Sequence, residues 1–206
     1  MTPLSLQEFL SREEALAGSD PVLTRLLIGI SEACKEISAK VREGALAGVL
    51  GLAGSENVQG EEQKKLDIIS NDIFVEAVAR TGAVCGMVSE EVPEPIAVPE
   101  ELPLGPYLAC FDPLDGSSNI DINVSIGSIF AILPAERPKR VPAPQDFLQP
   151  GRNLTAAGYC MYGPQTILAL TLGRGVFLFT LDAPQHAAST VVAFWPSDAG
   201  LRCENG

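Results

Sequence analysis

Two short apolar runs, "AVCGMVSEE" at 83–91 and "YLACFD" at 107–112, each break off abruptly into acids. Runs of this length without polar alternation read as strands buried on both faces, which points to a sheet inside an α/β fold. If the two strands are neighbours, Glu90, Glu91 and Asp112 meet at one sheet edge. Ligands of α/β sheets gather at such strand ends. The pattern around these strands is helical. Leu23, Leu26, Leu27, Ile30, Ala33, Cys34, Ile37 and Val41 recur at three- and four-residue steps. They predict one helix with Asp20 as N-cap and Pro21 at its first position. A second helix is predicted from about 61 to 80, with Leu66, Ile69, Ile73, Ala77 and Val78 inward and Thr81-Gly82 ending it. The glycine-marked stretch between them reads as an irregular connection. "IDINVSIGSIFAIL" alternates Ile120, Ile122, Val124 and Ile126 with polar partners and predicts one long half-buried strand. A short helix is predicted from Pro164. The α/β pattern spans 1–182, and 183–206 reads as a divergent tail.

The chain has 206 residues, 46% hydrophobic and 19% charged, which is enough apolar material for a real core. Its net charge of −12 argues against nucleic acid as a partner, because phosphate backbones are held by a basic face. No apolar run is long enough for a membrane span, and the first twenty residues lack the pattern of a secretory signal. The expectation is a cytoplasmic chain with no membrane partner. Five scattered cysteines without a CxxC read as buried reduced thiols. A single histidine, His186, supplies no zinc cluster, and no cysteine is followed six positions later by arginine. Carboxylates and bound cations are left to carry any chemistry.

The segment "CFDPLDGSSNID" crowds Asp112, Asp115 and Asp121 within ten positions. Pro113 fixes φ and bends the chain, so Asp112 and Asp115 can face one point with the Leu114 carbonyl between them. These are hard oxygen donors, suited to Mg²⁺ or Mn²⁺ rather than zinc. Gly116 lets backbone approach a ligand closely. Ser117, Ser118 and Asn119 offer hydroxyls, amide hydrogens and the start of a short helix that attracts phosphate. An Asp-Pro turn with a serine cap is the bland alternative, and the second acid pair at 90–91 weighs against it. Taken alone, Asp67 reads as a solvated helix acid beside Lys64 and Lys65, and Glu61 as a first-turn acid complementing the helix dipole. Asp121 reads as a structural hydrogen-bonding or ion-pairing residue.

Together "NVQGEEQKKLDIISND", "SEE", "FDPLDGSSNIDINVSIGSIF", "LQPGRNLTAAGYCMYGP" and "GVFLFTLD" resemble class I fructose-1,6-bisphosphatase. The short DPLDG core is shared with the wider inositol and nucleotide phosphatase superfamily, while the longer segments are more specific. The resemblance spans roughly 22–182. It implies layered helices and mixed sheets of the sugar-phosphatase type, a homotetramer, and hydrolysis of the 1-phosphate of fructose 1,6-bisphosphate with Mg²⁺ or Mn²⁺. By the same resemblance, Glu90, Asp112, the Leu114 carbonyl and Asp115 hold metal, and Glu61 is a further acid in the loop over it. Glu91 and Asp67 orient and deprotonate the attacking water. Asp115, Gly116, Ser117 and Ser118 hold the phosphate being removed.

The family's chain is longer, and its later half carries a further metal-binding glutamate and the sugar-reading residues. The expectation is that the C-terminal half is missing and that strand edges and apolar faces are left uncovered. Sedoheptulose-1,7-bisphosphatase activity, and an inactive fragment serving as an assembly module, stand as alternatives. In AMP-inhibited members a glycine-rich helix start, a Lys-Tyr pair and a later arginine hold the nucleotide phosphate. Here the start is Ser19-Asp20-Pro21-Val22, Tyr107 remains, and Pro106 and Pro134 replace the two cations. An intact enzyme with this sequence is therefore expected to resist AMP by that route. Inhibition at micromolar AMP in a steady-state assay would contradict this.

Overall fold

The computed structural model describes residues 4–43, 52–56, 62–138, 140–182 and 193–196. Helix α1 (Leu6–Ala17) opens with a capping box. The Ser5 hydroxyl accepts the Glu8 N–H at 3.3 Å, and the Glu8 carboxylate accepts the Ser5 N–H at 2.8 Å. Gly18, at φ 66°, closes α1 in the left-handed conformation. Helix α2 (Pro21–Glu43) is capped by Asp20, whose Oδ1 accepts the Val22 N–H at 2.9 Å. Strands β1 (Leu52–Glu56) and β2 (Glu62–Lys64) pair antiparallel ahead of helix α3 (Lys65–Arg80). Strands β3 (Val84–Ser89), β4 (Ile96–Ala97) and β5 (Tyr107–Asp115) follow, then a 3₁₀ helix at Ser117–Ile122 and β6 (Ile126–Pro134). The last strands are β7 (Ala156–Tyr162), β8 (Thr166–Thr171), β9 (Val176–Asp182) and β10 (Ala193–Pro196).

Eight strands form one sheet in the order β10-β9-β8-β7-β6-β5-β3-β4. Only β3 and β5 run parallel; the other neighbours are antiparallel. The helices pack on one face, where the spacing of Leu26, Ile30, Cys34 and Ile37 buries one stripe of α2. Phe74 of α3 meets Phe111 of β5 with ring centroids 4.6 Å apart, and Phe9 of α1 meets Phe177 of β9 at 4.5 Å. Two side-chain hydrogen bonds tie the layers together. Ser38 and Thr166 hydroxyls lie 2.7 Å apart between α2 and β8, and the Tyr107 hydroxyl donates to Asp20 Oδ2 at 2.7 Å. On the opposite face, Cys85, Leu108 and Leu133 are buried with Phe147 against them. Farther along that face the sheet is open: Ile129, Tyr159, Met161 and Val176 are all exposed. Among the described residues no helix is long and apolar enough to cross a membrane.

Four expectations change. The second helix starts at Lys65 rather than 61. Lys64 is extended, at φ −84° and ψ 158°, and its N–H is taken by Asp67 Oδ2 at 2.6 Å, which stops the helix from growing backward. The buried face of α3 is centred on Leu66, Ser70, Phe74 and Val78, leaving Ile69, Ile73 and Ala77 half-buried. No strand runs through Ile120–Val124. Gly116 and Asn123, both at positive φ (78° and 58°), bracket a 3₁₀ helix and leave Ile122 70% exposed. The helix from Pro164 is replaced by the hairpin that closes with Tyr162 opposite Thr166. In the tail, β10 adds to the sheet beside β9, while 183–192 and 197–206 lie outside the described residues.

Phe74 has no solvent exposure, and its ring joins α3 to the strand that carries Asp112. Phe74→Ala is expected to destabilise the chain by about 3–5 kcal/mol through lost burial and a residual cavity. Denaturant unfolding checks this, and a loss below about 1 kcal/mol would contradict the packing.

Candidate metal and phosphate site

The parallel pairing of β3 and β5 places Ser89 opposite Phe111, and the Glu90 N–H extends the ladder to the Phe111 carbonyl at 3.1 Å. Glu90 and Glu91 therefore leave the sheet beside Asp112. One carboxylate oxygen from each lies within 4.8 Å of the other two. Glu91 is 7% exposed and its N–H donates to Ser89 Oγ at 3.2 Å, which turns the chain at the strand end. Three carboxylates this close repel one another, and a divalent cation among them turns that repulsion into attraction. The donors are all hard oxygens, which fit Mg²⁺ or Mn²⁺. Cys110 lines the same groove, but burial pushes its thiol up to about 11. In the metal-free chain it stays protonated at neutral pH.

Asp112 is aimed by a β-bulge. Asp112 pairs with Ile129 and Asp115 with Gly127, so Pro113 and Leu114 together face Ser128 alone. Pro113 has no N–H to give to a ladder. Its carbonyl accepts the Ser128 hydroxyl at 2.7 Å, and the Leu114 N–H donates to Asp112 Oδ1 at 3.0 Å. The Ser128 hydroxyl also lies 2.6 Å from that of Tyr162. Burial is the main cause that holds the Tyr162 phenol well above its ordinary range, so it remains a neutral donor. Left unmade, a buried hydrogen bond of this kind costs about 1–3 kcal/mol.

Beyond the bulge, Gly116 at φ 78° starts the 3₁₀ helix with a conformation that glycine adopts without strain. Ser117 Oγ donates to Asp67 Oδ2 at 3.1 Å. Asp67 is 2% exposed and caps α3, so one carboxylate joins the helix start to the Gly-Ser-Ser turn. Asp115 is exposed and is not among the three clustered acids. With Gly116, Asn119, Ser125 and Tyr159 it lines an adjoining cavity of about 370 Å³. Small-molecule sites span roughly 300–1,000 Å³. The Leu114 side chain is buried. Glu61 and the Asp121 side chain lie outside the described residues.

The structure thus brings together Glu90, Glu91 and Asp112, and separately Asp67 with Ser117. Reading the residues alone made Asp67 a solvated acid; it is buried because its carboxylate serves two donors. Ser128 and Tyr162 were not singled out. The one signal was a serine at an inward position of an otherwise apolar strand.

These features define an α/β domain of the sugar-phosphatase type, with acids at the mouth of a parallel strand pair. The sequence profile of "Fructose-1-6-bisphosphatase, N-terminal domain" matches residues 5–188. A class 1 fructose-1,6-bisphosphatase of Methylibium petroleiphilum is 58% identical over 160 residues, which are 78% of this chain and 45% of that one. The holo crystal structure of Leishmania major fructose-1,6-bisphosphatase superposes with TM-score 0.82 at 33% identity, covering 96% of this chain and 59% of that one. Its apo form gives 0.75 at 31%, over 95% and 57%. The chain belongs to the fructose-1,6-bisphosphatase family, and it spans less than half the length of the curated relative.

Asp67→Ala removes the acceptor for the Lys64 N–H and is expected to cost about 0.5–2 kcal/mol of stability. Thermal unfolding checks it, and no loss would contradict the capping role.

Proposed function

We propose that this domain supplies the metal and phosphate half of a site that hydrolyses the 1-phosphate of fructose 1,6-bisphosphate, releasing fructose 6-phosphate and phosphate. The observation that carries the reading is the cluster of Glu90, Glu91 and Asp112, one strand step from the bulge that leads into Gly116–Ser118. Glu90, Asp112, Asp115 and the Leu114 carbonyl would hold Mg²⁺ or Mn²⁺, with Glu61 as a further acid. When bound, such ions offset phosphoryl charge and lower the pKa of water.

The chain's own groups do the rest. The Ser118 hydroxyl and the Ser117 and Ser118 amide hydrogens orient the phosphate for in-line attack. Glu91, a nearly buried member of the cluster, would accept the proton of the attacking water. Asp67 holds Ser117 through its hydroxyl and so sets the position of the turn relative to α3. The sugar ring would lie over the cavity bordered by Asp115 and Tyr159. Fructose 1,6-bisphosphate is favoured as substrate because the similar proteins are fructose-1,6-bisphosphatases.

Two outcomes follow. Mn²⁺ at about a hundred times its dissociation constant is expected to stabilise the chain by about 2.7 kcal/mol. Glu90→Gln combined with Asp112→Asn removes that gain, and an unchanged thermal shift would overturn the assignment. The 206-residue chain alone is expected to release phosphate from fructose 1,6-bisphosphate slowly or not at all. Turnover near that of a full-length relative, measured as phosphate release with Mn²⁺, would contradict this.

A further inference from the structure

We infer that Ser128 and Tyr162 are positioning residues for the acid Asp112, acting on it through the Pro113–Leu114 peptide. The inference rests on the reading of Glu90, Glu91 and Asp112 as a cation site. Ser128 Oγ carries one proton, and it lies 2.7 Å from the Pro113 carbonyl oxygen, which can only accept. The Tyr162 hydroxyl, 2.6 Å from Ser128 Oγ, is then the donor in that contact. The donor chain has one direction, from Tyr162 to Ser128 to the Pro113 carbonyl. At the other end of the same peptide the Leu114 N–H donates to Asp112 Oδ1 at 3.0 Å.

A peptide unit is planar, so its carbonyl and its N–H turn together. Freeing the carbonyl lets the N–H swing away from the Asp112 carboxylate. The bulge makes this a real freedom, because Pro113 and Leu114 share one partner residue on β6. Water does not replace either hydroxyl, since Ser128 is fully buried and Tyr162 is 3% exposed. The pair acts as an outer shell: it aims a ligand without meeting the ion. Groups of that kind typically change metal affinity by about 10–100-fold.

The test is Mn²⁺ binding to the 206-residue chain, followed by the EPR signal of free Mn²⁺, with thermal unfolding of the metal-free protein beside it. Ser128→Ala is expected to weaken Mn²⁺ binding about tenfold or more. Tyr162→Phe weakens it by a smaller factor, and Ser128→Thr, which keeps the hydroxyl, stays nearer the parent chain than Ser128→Ala. A role in packing alone would lower the unfolding temperature and leave the affinity of the folded protein unmoved. If Ser128→Ala does not fold, Tyr162→Phe decides. Affinities within about twofold of the parent in the folded variants overturn the inference, while Asp112→Asn, weakening binding, leaves the site reading intact. No Mn²⁺ binding by the parent chain, or none lost in Asp112→Asn, overturns the site reading and this inference together.

Discussion

The parallel pairing of β3 with β5 is the constraint on which the rest of the site depends. Both strands leave the sheet in the same direction, so the acids that follow each of them emerge side by side. An antiparallel pairing of the same sequences would send Glu90-Glu91 and Asp112 to opposite edges. Parallel strands need both faces covered. Here α3 covers one face through Phe74, and the segment carrying Pro142 and Phe147 covers the other. Gly86 lies against Pro142 with no room for a side chain, which shows how closely that cover fits.

From β6 onward the sheet is antiparallel and has helices on one face only. Such a sheet can leave its other face outward, and Ile129, Tyr159, Met161 and Val176 do face outward. Rigidity at the site is supplied from the helix side. Buried hydroxyl contacts at Ser38–Thr166 and Ser128–Tyr162 and the Asp20–Tyr107 contact join elements distant in sequence. The two buried hydroxyl contacts cost little when satisfied and much when broken, because their surroundings exclude water. The Asp20 carboxylate is meanwhile committed twice, to the start of α2 and to Tyr107.

Much of the architecture was legible from periodicity. The α2 stripe and the two buried strands were readable because repeated spacing states a face directly. Boundaries were less so. The α3 start moved because Asp67 folds back on Lys64, a capping contact with no Ser, Thr or Asn at the cap position to announce it. Ile120, Ile122 and Val124 alternate like a strand, yet Gly116 and Asn123 at positive φ impose a 3₁₀ helix. Local backbone geometry outweighed the hydrophobic pattern: Ile120 still packs against the core, while Ile122 and Val124 are exposed.

By itself the sequence determined the chemistry of the site. Acids next to apolar runs, and a proline and glycine flanking Asp115, state which donors exist and where the chain must bend. Those are local properties, set by residue type and by φ. Only the tertiary structure decided which donors meet. The strand pairing gathers Glu90, Glu91 and Asp112, the α3 cap carries Asp67 to Ser117, and the register slip at Pro113 brings in Ser128 and Tyr162. Each of these contacts spans many residues of chain, and it is held by burial and hydrogen bonding between layers that no single segment specifies.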